Sequence, residues 1–133
     1  MKALVASCSV PVVLVAILAT AGTGGEEKGS GPRLAHMVFF QLQDPTPDSK
    51  EKLFAACYKY LSDHDGTVYF SVGTRAADMT RDVNDVEFDV ALHIVFRGKA
   101  DHDRYQVHAR HARFIAESQA NWKKVRVFDS YVD

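Results

Sequence analysis

A chain of 133 residues has room for one domain, and 47% hydrophobic with 25% charged residues is an ordinary globular composition. A formal net charge of -1 supplies no attraction for nucleic acid or for an anionic membrane surface. That balance sets aside the partners that a strongly basic chain would suggest.

The first residues differ from the rest. Lys2 is the only charge before Glu26, and Val10 to Ala19 is almost wholly apolar. Ala19-Thr20-Ala21 then offers a small-x-small site. A basic start, a short apolar run and a cleavage site are the layout of a secretory signal peptide over 1–21. The run is shorter than the roughly 20 apolar residues that a membrane span needs. Cys8 precedes the apolar run instead of following it, which argues against a lipoprotein. Cleavage after Ala21 would remove Lys2 and Cys8, taking 16 basic residues to 15 against 17 acidic, a net of -2. Cys57 would be the one cysteine left, so no internal disulfide is expected. The expectation is an exported protein, periplasmic or extracellular, with no membrane association once the signal is gone. Residues 22–32, with five glycines and no large apolar side chain, read as a flexible linker. The folded domain is expected over 33–133.

Within it, Leu34 to Leu42 carries the apolar run Met37-Val38-Phe39-Phe40 of a buried strand. His36 shares a strand face with Leu34, Val38 and Phe40. Thr46 can cap a helix with Pro47 at its first position, running to about Leu61. Leu53, Phe54, Cys57, Tyr60 and Leu61 form its apolar stripe. Asp63-His64-Asp65-Gly66 ends it. Thr67 to Thr74 reads as a second strand with Val68, Phe70 and Val72 on one face. Residues 76–86 read as loop. Glu87 to Phe96 alternates as a third strand, with Phe88, Val90, Leu92, Ile94 and Phe96 together and Asp89, Ala91, His93 and Val95 opposite. A helical region follows from about Asp101 to Trp122, then a last strand from Lys124 to Val132. His64 and His102, in a turn and near a helix start, read as solvated.

The order β-α-β-β-α-β predicts an α+β, ferredoxin-like domain, with a four-stranded antiparallel sheet and its helices on one face. The other sheet face stays half apolar and calls for a cover. Two such sheets packed face to face would make a dimeric α/β barrel, so a homodimer is expected.

Chemistry concentrates in Tyr105-Gln106-Val107-His108-Ala109-Arg110-His111. Histidine titrates nearest neutral pH, and a tyrosine hydroxyl can donate to a developing oxyanion. Three-residue helical steps let Tyr105, His108 and His111 border one cavity without meeting at a point. Placed histidines also serve as packing and hydrogen-bonding groups, and that reading stands beside the catalytic one. His108 and His111 could both reach an ion, but no third ligand is fixed nearby, so no metal and no cofactor is expected. Arg104, Arg110, Arg113, Lys123, Lys124 and Arg126 read as a solvated face. No Gly-rich phosphate loop, Gly-x-Ser-x-Gly or Cys-x-x-Cys is present.

These segments resemble the stress-responsive dimeric α/β barrel family, Dabb, over about Leu34 to Val132. The points of likeness are His36-Met37-Val38-Phe39-Phe40, Phe70-Ser71-Val72-Gly73, the third strand ending at Phe96, and Val125-Arg126-Val127-Phe128-Asp129. The family's most specific motif, Tyr-x-x-His-Pro-x-His followed by Phe, reads here as Tyr105 to His111 and then Phe114. Ala109 replaces the motif proline, which permits a continuous helix and a different aim for His108 and Tyr105. The resemblance implies a homodimer whose pocket takes a small apolar or aromatic molecule, with His36 and His108 among the ligand-binding residues. The family's plant polyketide cyclase, which makes olivetolic acid without a cofactor, adds an alternative by the same resemblance. That alternative is lyase or cyclase chemistry of aldol or proton-transfer type, with His111 as base and Tyr105 as orienting or oxyanion-stabilising group.

Overall fold

In this computed structural model the described residues are 31–133. The expected signal peptide, 1–21, and most of the linker, 22–32, lie outside them. Strand β1 spans Arg33–Leu42, and helix α1 spans Pro47–Leu61. Thr46 caps α1 as expected, its hydroxyl accepting from the Ser49 amide at 3.2 Å. Leu53, Cys57, Tyr60 and Leu61 form the buried stripe. The turn after α1 needs left-handed backbone, and Asp63 (φ 54°) and Gly66 (φ 86°) supply it.

Strands β2 (Thr67–Thr74) and β3 (Val90–Phe96) follow. Helices α2 (Lys99–Gln106) and α3 (Ala109–Ser118) come next, then a short 3-10 turn and strand β4 (Trp122–Val132). The sheet is antiparallel throughout, in the order β2-β3-β1-β4. This is the α+β, ferredoxin-like arrangement that the element order predicted. Leu34, Val38 and Phe40 of β1 and Val90, Leu92, Ile94 and Phe96 of β3 face the helices and are buried.

The alternation fails at two ends. β3 starts at Val90, three residues later than expected, because Asp89 closes the turn into it. The Asp89 amide donates to the Phe40 carbonyl, and its carboxylate accepts from the Leu42 amide. Phe88 therefore leaves the Val90–Phe96 stripe. It packs edge-on against Phe39, on the opposite sheet face, with ring centres 5.0 Å apart. On β2, the register shifts between Thr67 and Tyr69, so Val68 sits at an irregularity and is exposed.

The helical region is also not continuous. The chain breaks at Val107–His108, where His108 has extended backbone (φ -70°, ψ 141°) and caps α3. Its ring nitrogen accepts from the Arg110 amide at 3.1 Å. Ala109 takes the first helical position without a proline, because the side-chain cap of His108 makes the start that the ring would otherwise favour.

Candidate functional site

Five of the six histidines gather around Tyr105. Tyr105 comes from the last turn of α2 and is 2% exposed. Its ring centre lies 4.7 Å from His111 on α3, 4.9 Å from His64 below α1, and 5.8 Å from His36 on β1. His102 stands one turn back on α2, 5.0 Å from His36. His108 stacks edge-on against His64 at 4.8 Å. The break between α2 and α3 makes this convergence, since it turns His111 back against Tyr105.

Two expectations are corrected here. His64 is buried, and its Nε2 meets the Tyr60 carbonyl at 2.8 Å. His102 is half-buried against His36 and Phe96. Both looked solvated because their neighbours are polar, yet the tertiary fold tucks them under Tyr105. His93, by contrast, lies on the opposite sheet face, beside Ser71 and Phe39.

Asp129 was missed as a site residue. It pairs across β1–β4 with His36, and paired residues share a face. Its carboxylate oxygen lies 2.6 Å from His36 Nδ1. The signal was available: the strand register that pairs Val38 with Val127 puts Asp129 opposite His36.

Burial sets the charge states. It lowers the pKa of His111, against a backbone hydrogen bond at Gln106 that raises it, and the nearby histidines lower it further. It also lowers His36, with the Asp129 hydrogen bond opposing, and His64, with the Tyr60 carbonyl opposing. Burial pushes the Tyr105 hydroxyl upward, so that it stays protonated. A neutral imidazole, able to accept, thus stands beside a protonated phenol that can donate.

The surroundings give the site a shape. Val125, Val127, Asp129 and Tyr131 pair with Phe40, Val38, His36 and Leu34, which places them on the helix side of the sheet. Yet Val125 and Val127 are 37% and 49% exposed, so the helices leave this flank of β4 bare. On α3, Arg110 reaches the carbonyls of Lys59 and Ser62, and Glu117 accepts from Tyr60, so these two look towards α1. His111 and Ser118 each stand about 100° further round. His36, Asp129, His102, Tyr105 and His111 thus form a polar cluster at the end of the exposed valine flank of β4. Three open clefts of 910, 670 and 400 Å³ lie elsewhere, and neither Tyr105 nor His111 lines them. The largest meets the cluster at His64.

This combination of fold and site defines a ferredoxin-like α+β domain with a histidine–tyrosine cluster between sheet and helices. Residues 34–132 match the model of the Stress Responsive A/B Barrel Domain, Dabb, and the chain belongs to that family. No curated protein matches it. Among solved structures it is similar to a dimeric ferredoxin-like protein of unknown function from Thermobifida fusca YX. The TM-score is 0.66 at 18% identity, covering 77% of this chain and 93% of that one. It is also similar to a Dabb family protein with a ferredoxin-like fold from Mesorhizobium loti, at TM-score 0.63, 18% identity, and 75% and 96% coverage. A hydroxynitrile lyase from Passiflora edulis gives TM-score 0.62, 17% identity, and 77% and 94% coverage. At such identities these likenesses speak for the fold alone.

Proposed function

We propose that this chain is an exported, homodimeric protein that binds a small apolar or aromatic molecule at the Tyr105 cluster and along the exposed valines of β4. The observation that carries the reading is the convergence of His36, His102 and His111 on buried Tyr105, beside the bare valines of β4. The polar cluster would take a carbonyl or hydroxyl oxygen, with Tyr105 donating and His111 accepting. The exposed valines would take the apolar remainder. His108, exposed and engaged in capping α3, acts in this reading by shaping the break, not by touching the ligand.

The homodimer reading rests on the other sheet face. Phe39, Phe88 and Phe128 form an aromatic cluster there, and Phe128 is 55% exposed. The similar protein from Thermobifida fusca is described as dimeric. Export rests on the amino-terminal pattern of charge, apolar run and small residues, and N-terminal sequencing of purified protein tests it.

The ligand test is a calorimetric screen of small phenols, aryl ketones and aryl aldehydes. At least one class should bind wild type and bind His111→Ala at least tenfold more weakly, a change equal to about 1.4 kcal/mol. Absence of binding across the set, or equal binding to the variant, rejects the reading.

One observation favours turnover as a second reading. A neutral His111 in ring contact with a protonated Tyr105 is the pairing that cofactor-independent proton transfer uses. His111 would then be the base and Tyr105 the oxyanion donor, as in lyase or cyclase chemistry. Turnover lost in His111→Ala and Tyr105→Phe with binding retained supports it. Unchanged turnover in both variants ends it.

A further inference from the structure

The histidine–tyrosine cluster holds a second arrangement that ligand binding does not require. One ligand atom from each of His36, His102 and Asp129 lies within 4.8 Å of the other two. We propose that these three residues bind one divalent transition-metal ion of the zinc class.

The donor set suits such an ion. Two imidazoles and one carboxylate are a common three-ligand set for zinc and related first-row ions, and they leave open positions for water or another ligand. Ligands at about 2.0–2.1 Å from one ion stand about 3.0–3.4 Å from each other. The present spread of up to 4.8 Å therefore needs a closure of under about 2 Å. Asp129 is the member with room to move. The Asp129 side chain is 46% exposed on strand β4, and the His102 side chain is 13% exposed at the rim. His36 is the fixed member, 4% exposed within β1.

Two contacts already orient the set. Asp129 is held towards His36 by the 2.6 Å hydrogen bond to Nδ1. The Gln106 side chain meets His102 Nε2 at 3.0 Å and fixes the angle of that ring. A hydrogen bond from outside the set, such as the one Gln106 makes to His102, holds a metal-binding ring in register and raises affinity. His108 and His111, the pair that the sequence brought to notice, are not in this set. The ion would instead be held by residues distant in sequence, on β1, α2 and β4. Its open positions would be where a ligand oxygen enters.

The test uses the full, untagged chain, stripped with a chelator and then titrated. Zinc binding is followed by calorimetry, and cobalt binding by visible absorption. One ion per chain is expected. His102→Ala and Asp129→Asn should each weaken binding at least tenfold, while His93→Ala leaves it unchanged. Circular dichroism of each variant shows that the fold is retained. No binding up to millimolar metal overturns the proposal. Binding that survives both site variants, or that falls with His111→Ala but not with His102→Ala, overturns it as well. The readout is independent of whether aryl compounds bind, so failure of one proposal is distinguishable from failure of the other.

Discussion

At His64, burial and hydrogen bonding act on the same side chain. Its ring is packed under Tyr105 and satisfies the Tyr60 carbonyl at the end of α1. Removing it leaves a helix-end carbonyl without its partner, which costs on the order of 1–3 kcal/mol. His64→Ala should therefore lower stability by that amount in urea unfolding. The titration adds a sign. Burial lowers the pKa of His64 below 6.5, so the folded state favours the neutral ring. That contribution is present in full above pH 6.5, the unfolded value, and is lost as pH falls through the folded value. The urea midpoint of wild type should drop between about pH 7.5 and pH 5.5, and His64→Ala should show a smaller drop. An equal drop would mean that His64 does not titrate as described. From the sequence alone His64 looked solvated, because Asp63, Asp65 and Gly66 around it are turn residues. What buries it is Tyr105, some forty positions away, and no local pattern carries that contact. Asp129 was closer to legible, since strand pairing with β1 suffices to set it opposite His36.

The elements were easier to read than the joints between them. Strand β1, helix α1 and strand β4 fall where apolar runs, the Thr46 cap and β-branched residues place them. The joint between α2 and α3 did not, because alanine at position 109 is as good in a helix interior as at its start. The side-chain cap of His108 decides the matter, and its extended backbone is the conformation that a following proline requires. Ala109→Pro should thus be accepted at the first position of α3, where the amide has no helical partner to lose. A gain of about 0.4–1 kcal/mol is expected, through a stiffer unfolded chain. Thermal unfolding checks this, and a loss of stability would show that the break is not as described. Phe88 gives the opposite lesson. Its alternation with Val90 was real in sequence, but a strand that starts at Val90 imposes no phase on the residues before it.

For the whole molecule, the two faces of the sheet ask for different covers. The helix face is closed over β1, β2 and β3, with Phe40, Phe114 and Trp122 in mutual ring contact at one end. The opposite face presents Phe39, Phe88, Phe128 and His93, with no layer of the described residues over them. The half-apolar strand pattern made this aromatic face legible from the start, although it did not reveal that β4 also stays exposed on the helix side. If a second copy covers the open face, Phe128→Lys should convert a dimer of twice the chain mass into a monomer that keeps its secondary structure. Light scattering with circular dichroism reads both, and a variant that remains dimeric would place the interface elsewhere.

Ligand binding at the Tyr105 cluster is the central proposal, and the histidine rings report on it directly. Spectra of ring-labelled histidine are recorded while a binding aryl ketone or phenol is added at neutral pH. The signals of His36, His102 and His111 should move together, while His93, on the far sheet face, stays still. Movement of His93 alone, with the other three unchanged, would contradict it.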